Sequence, residues 1–151
     1  MTEKMKLEKV FQVVELKQVQ CKTNYTVQQI KSPSDAAAIL IDLIGQSDRE
    51  KFVVMMLNTK NEVIGIDIAH VGSINASIVH PREVFKSAIM NNATSVLVGH
   101  NHPSNNCQYS PEDLEVSRRL EEAGLILGIE LIDSIIVGAD NYLSLREENI
   151  L

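Results

Sequence analysis

The sequence predicts an α/β domain in which a mixed sheet is flanked by helices in layers, and three observations carry that expectation. Strand-like and helix-like segments alternate along the chain. Phe52 to Leu57 is an unbroken apolar run of strand length, as expected of a strand buried on both faces. Each helical segment opens with a proline behind a polar residue, at Ser32-Pro33, His80-Pro81 and Ser110-Pro111. At 151 residues the chain suits one ordinary domain that can bury a continuous core without disulfides or a structural metal.

The elements follow in order. Val10 to Val19 reads at period two but also at helical period, since apolar residues fall at Leu7, Val10, Phe11 and Val14; its β-branched content favours a strand. Residues 21–31 are polar and expected to be irregular, so 1–31 is read as an N-terminal strand or arm ahead of a domain spanning 32–151. Ser32-Pro33-Ser34-Asp35 starts a helix because short oxygen-bearing side chains cap free amides; the apolar pattern from Ala36 to Ile44 continues it and Gly45 ends it. Phe52 to Leu57, the turn residues Asn58-Thr59-Lys60-Asn61 and Val63 to Val71 predict a hairpin. Pro81 stands at the first helical position, where its missing amide is harmless, and that helix is expected to reach about Met90. Ser95 to Val98 is a short β-branched strand aimed at Gly99 and His100. A third helix starts at Ser110-Pro111-Glu112-Asp113 and runs to Gly124 or Gly128. Ile129 to Val137 and Tyr142 to Leu145, joined by Gly138-Ala139-Asp140-Asn141, predict a final hairpin.

Composition narrows the function. Aromatic residues are 4% of the chain and tryptophan is absent, so stacking platforms for single-stranded nucleic acid are scarce. The formal charge is −6, while residues 1–31 hold more lysines than acids, which leaves a body that repels phosphate backbones. Nucleic acid is therefore a partner that the charge does not support. Cys21 and Cys107 are too few for a disulfide framework or a four-thiolate zinc site, which fits a reducing cytosol. No apolar run is long enough to span a bilayer, so a soluble cytoplasmic protein without membrane contact is expected.

The chemistry gathers at His100-Asn101-His102, followed by Ser110 and Asp113. In extended chain, side chains two residues apart share a face, so His100 and His102 at a strand end can reach one ion; Pro103 keeps the preceding residue out of the helical region. Two imidazoles and the Asp113 carboxylate fill three corners of a tetrahedron and leave the fourth for water, the pattern of a catalytic zinc. Ser110 and Asp113 also read, more simply, as a helix-capping box that needs no metal, and the two readings are compatible. A hydrolase also needs a base, for which Glu50 is the candidate, just ahead of the Phe52 to Leu57 strand; Asp48-Arg49-Glu50-Lys51 alone would pass for a charged loop. There is no His-Glu-x-x-His, no deaminase pair of His-x-Glu and Pro-Cys-x-x-Cys, no Gly-rich phosphate loop and no Gly-x-Ser-x-Gly elbow. The chain also falls short of the ~250 residues typical of an amidohydrolase barrel.

These residues resemble the JAMM (JAB1/MPN) metalloprotease domain and, within it, the bacterial RadC-like proteins. The resemblance runs from about Ser32 to the C-terminus. It rests on Arg49 to Val54, Val79 to Val84, Gly99 to Ser104, Glu122 to Gly124 and Gly128 to Leu131. It implies a curved mixed sheet between helices, the cytidine-deaminase-like JAB1/MPN fold. It also implies zinc bound by His100, His102 and Asp113, with Glu50 orienting and deprotonating water and Ser110 helping to stabilise the oxyanion. RadC-like proteins usually follow Pro-Ser with Gly-Asp-Pro-Thr-Pro, whereas this chain reads Asn105-Asn106-Cys107-Gln108-Tyr109. Asparagine tolerates the left-handed backbone that glycine supplies, so the turn is expected to survive, but the missing prolines predict a looser loop. Cys107 is read as a small buried or loop thiol rather than a fourth, silencing zinc ligand. The residues ahead of the domain leave no room for the helix-hairpin-helix region that longer relatives carry and that is associated with DNA binding.

The expected function is a zinc-dependent hydrolase of peptide or isopeptide bonds, acting on a protein or peptide substrate. The alternatives are a non-catalytic accessory module in DNA repair or mobile-element biology, suggested by the resemblance alone, and a metal-bearing interaction scaffold without turnover.

Overall fold

Three proline-led helices and five strands build the domain, in the order α1 (Pro33–Ile44), β1 (Lys51–Leu57), β2 (Val63–Val71), α2 (Pro81–Met90), β3 (Ser95–Asn101), α3 (Pro111–Leu127), β4 (Glu130–Val137) and β5 (Tyr142–Ser144). The structure, a computed structural model, describes residues 9–15, 19, 22 and 29–151. The strand expected over Val10 to Val19 is not formed in residues 9–15 or at 19, which carry no regular secondary structure; positions 16–18 lie outside the described residues, as does most of the rest of 1–31. Val10, Phe11, Val13, Val14 and Val19 are all exposed, so among the described residues no buried face rewards the β-branched pattern there.

The strands form one mixed sheet in the order β2-β1-β3-β4-β5. β1 pairs antiparallel with both β2 and β3, β3 pairs parallel with β4, and β4 pairs antiparallel with β5. Both expected hairpins are present. α1 packs on one face of the sheet and α2 with α3 on the other, as the alternation of side chains along each strand requires. Val53, Met55 and Leu57 of β1 join Leu97 of β3 in a cluster with Ala36, Leu40 and Ile44 of α1. Phe52, Val54 and Met56 join Val96 and Val98 in a second cluster with Val84 and Phe85 of α2 and Val116 and Leu120 of α3. β1 is thus buried on both faces, which explains its continuous apolar run.

Local chemistry sets the helix ends. The Asp35 carboxylate accepts the amides of Lys31 and Ser32 at 2.9 and 3.2 Å, closing the start of α1. α3 ends at Gly128, whose φ of +73° lies in the left-handed region that glycine occupies without a Cβ penalty. β3 extends beyond the expected Val98 through His100 to Asn101, because its ladder continues on both sides: His100 faces Phe52 of β1, and Asn101 faces Val137 of β4. Gly99 lets α1 approach this strand, since a Cβ there would lie 2.4 Å from Leu40 Cδ1. Among the described residues no helix is long and apolar enough to cross a membrane.

Candidate metal centre

The period-two alternation that separates the two cores also decides where the site lies. Val96 and Val98 face α2 and α3, so His100 faces the same way, and His102 follows just past the strand end. α3 begins beside them. The Nε2 atom of His100 lies 3.0 Å from Asp113 Oδ1, that of His102 lies 3.2 Å from Asp113 Oδ2, and the two Nε2 atoms are 3.2 Å apart. His100 and Asp113 are buried and His102 is partly so. The ring of Phe52 stacks on His100 at 14° between planes.

The spacing fits a tetrahedral ion. Bonds of about 2.0–2.1 Å to imidazole nitrogen and carboxylate oxygen place neighbouring ligand atoms about 3.3 Å apart, close to the distances above. The tautomer of His102 fits as well: its Nδ1 lies 2.8 Å from the carbonyl oxygen of Asn106, which can only accept. Nδ1 therefore carries a proton, which leaves Nε2, the atom that faces Asp113 and His100, as the one that would ligate an ion after giving up its own proton. His100, His102 and Asp113 form a group able to hold a metal ion. The electrostatics agree with a centre built for positive charge. Burial works against the charge of Asp113, but hydrogen bonds from His100 and His102, with the Ser110 amide, hold its carboxyl well below the usual carboxylate range. The hydrogen bond to Asp113 raises His102 above the ordinary imidazole value; burial opposes this, and the Asn106 carbonyl and the charges of Asp113 and Glu50 add to it.

Ser110 and Asp113 do form the capping box. Ser110 Oγ accepts from the Asp113 amide at 3.1 Å, and Asp113 Oδ2 accepts from the Ser110 amide at 2.8 Å. The same carboxylate faces both imidazoles, so the capping residue is also the candidate ligand, and the cap aims it. Glu50 lies outside the ligand group. It sits two residues before Phe52, which pairs with His100, so the register carries it to the His102 end of the site and to the same face as the histidines. One of its oxygens, Oε2, accepts the amide of Ile74 at 3.0 Å. Cys107 points elsewhere: its Sγ contacts the Asn141 carbonyl at 3.6 Å, and it is a buried free thiol.

Other residues that shape the site are silent in the sequence. Asn101 is fully buried between the histidines; its Oδ1 accepts the Lys51 amide at 2.8 Å and its Nδ2 donates to the Arg49 carbonyl at 2.9 Å, fixing the segment that carries Glu50. The orientation of His102 depends on a backbone carbonyl, which no side-chain motif announces. Only the position of Asn101 between two candidate ligands hints at its part.

The RadC-like JAB domain family model matches residues 30–150. The chain belongs to that family. Among its relatives, a UPF0758 protein of Moorella thermoacetica is 50% identical over 122 residues, which cover 81% of this chain and 53% of the relative. One from Shouchella clausii is 48% identical over 131 residues, covering 87% and 57%. One from Methanosarcina mazei is 43% identical over 124 residues, covering 82% and 54%. The chain thus spans about half the length of the curated relatives it matches. The mixed sheet flanked by helices agrees with a JAB-type fold, and the His-His-Asp group lies inside the matched region.

Proposed function

We propose that this RadC-like JAB domain is a zinc-dependent hydrolase that cleaves a peptide or isopeptide bond in a protein or peptide substrate. The observation that carries the reading is the meeting of His100 Nε2, His102 Nε2 and the Asp113 carboxylate at 3.0–3.2 Å. Two imidazoles and one carboxylate are the donor set of a catalytic zinc, which keeps a position for water. Zinc bound there supplies Lewis acidity toward the scissile carbonyl and makes the attacking water more acidic.

The chain's own residues handle the proton and the developing charge. Glu50 has one carboxylate oxygen held by the Ile74 amide, which leaves the other to take the proton of the attacking water and pass it to the departing nitrogen. Ser110 accepts the Asp113 amide through its oxygen, so its own hydroxyl proton remains available to the oxyanion that forms as the carbonyl is attacked. Burial of His100 and Asp113 keeps their mutual contact out of bulk water, where it would be weaker.

The test is metal analysis of wild type, His102→Ala and Glu50→Gln beside a screen of peptide and isopeptide substrates. Wild type is expected to carry stoichiometric zinc and turn over, His102→Ala to lose both, and Glu50→Gln to keep zinc while slowing by roughly 10²–10⁴-fold. Wild type without zinc would overturn the metal assignment. A zinc-loaded wild type as inert as Glu50→Gln would overturn the hydrolase and leave a metal-bearing scaffold.

A further inference from the structure

α3 meets the sheet through Val116 and Leu120, which share a cluster with Val98 of β3 and Leu131 of β4. Such contacts are non-directional and tolerate small rotations and slips of the helix. One point of this contact is polar. Ser117 of α3 and Ser134 of β4 are 2% and 1% exposed, with their hydroxyl oxygens 2.8 Å apart. Ser117 Oγ also lies 2.9 Å from the backbone carbonyl of Asp113, one turn earlier. A hydroxyl has one proton to give. Ser117 Oγ is the donor in both contacts, so that proton is shared between the Asp113 carbonyl and Ser134 Oγ.

The geometry points to Ser117 and Ser134 as a positioning pair that sets α3 against β4 at the one register in which Asp113 reaches both imidazoles. Ser134 pairs with Val98, two residues before His100, so the pair lies directly behind the ligands on the same face of the sheet. The helix that carries the aspartate is thereby tied by a directional bond to β4, the strand that pairs with the one carrying the histidines. A serine bonded back to the carbonyl four residues earlier does little for helix stability. Its use here is to tie the ligand's own backbone to the sheet. A shifted helix would leave Ser117 its bond to the Asp113 carbonyl but would take from the buried Ser134 hydroxyl its partner on α3.

The inference rests on the metal reading above, and its test separates the two. The zinc affinity of the full chain is measured by competition with a chromophoric chelator for wild type, Ser117→Ala/Ser134→Ala and Ser117→Thr. The cobalt-substituted absorption spectrum and the melting temperature of the metal-free protein are recorded for each. The double variant is expected to bind zinc about 10–100-fold more weakly, as loss of a group supporting a ligand does, and to show a shifted cobalt spectrum. Ser117→Thr, which keeps the hydroxyl, is expected to match wild type in both. A double variant with a lower melting temperature but wild-type affinity and spectrum would reduce the pair to a packing contact and leave the metal site standing. Wild type that binds neither metal would remove the metal site and this inference together. Should the double variant fail to fold, Ser117→Ala alone carries the same comparison.

Discussion

Asn105 shows how a single residue rebuilds a loop whose family pattern differs. Its φ is +66°, in the left-handed region that costs most residues about 1–2 kcal/mol. Its side chain offsets that cost, because Oδ1 accepts the Ala139 amide at 2.7 Å. Gly138 leaves the room, since a Cβ there would lie on that same oxygen. The loop that lost two prolines is therefore tied to the β4–β5 turn instead of loosened. Asn105→Gly removes the bond but not the conformational freedom, whereas Asn105→Ala removes the bond and adds strain. Denaturant titration is expected to show a loss of about 1 kcal/mol for glycine and about twice that for alanine; equal losses would deny the backbone argument. Asp133 makes a prediction in pH. Burial raises its carboxyl above the usual range, against hydrogen bonds from Ser144 and the amides of Arg146 and Ser134. Its folded value therefore lies above the unfolded value of 3.8, so its contribution to stability is full below 3.8 and is lost as pH rises through the folded value. Relative to Asp133→Asn, which cannot ionise, wild type should lose stability across that window; a constant difference between the two would contradict the assignment.

At the scale of elements, α3 carries the cap and the candidate ligand together, and the two roles can be separated. Ser110→Ala removes the acceptor for the Asp113 amide and should lower the stability of the metal-free protein by about 1 kcal/mol, while Ser110→Thr, which can still cap, should lower it far less. Wild-type stability in the metal-free alanine variant would mean that the cap contributes nothing. The ends of the helices were legible because proline and capping side chains act locally: Pro81 and Asn91 bound α2, and Pro111 and Gly128 bound α3. The strands were legible in their existence more than their ends. Gly99, His100 and Asn101 offer little β propensity, yet β3 runs through them because β1 and β4 pair with it on either side. The converse holds for Val10 to Val14, whose propensity meets no partner among the described residues. The His pair and Asp113 were readable from spacing and from the resemblance. Glu50 was named through the resemblance, whereas the orientation of His102 depends on the Asn106 carbonyl and the part of Asn101 on the backbone groups of Arg49 and Lys51, none of which leaves a side-chain motif.

The molecule as a whole assembles the centre from pieces far apart in the chain: Glu50 ahead of β1, the histidines at the end of β3 and Asp113 on α3. Only the folded chain brings them together, so a metal ion that binds there stabilises the fold by mass action. At free zinc about 1,000-fold above its dissociation constant the gain is about 4 kcal/mol. In a domain of this length each kcal/mol moves the melting temperature by roughly 2–4 °C, so zinc should raise it by about 10 °C and a chelator should reverse the rise. His102→Ala should show no shift, because two remaining ligands hold the ion too weakly. Glu50→Gln should shift as far as wild type, because its carboxylate lies outside the ligand group. That contrast separates the proposed base from the proposed ligands without any substrate. A wild type that melts at one temperature with and without zinc would mean that the folded chain holds no zinc, and a Glu50→Gln shift as small as that of His102→Ala would move Glu50 from proton transfer into the coordination shell.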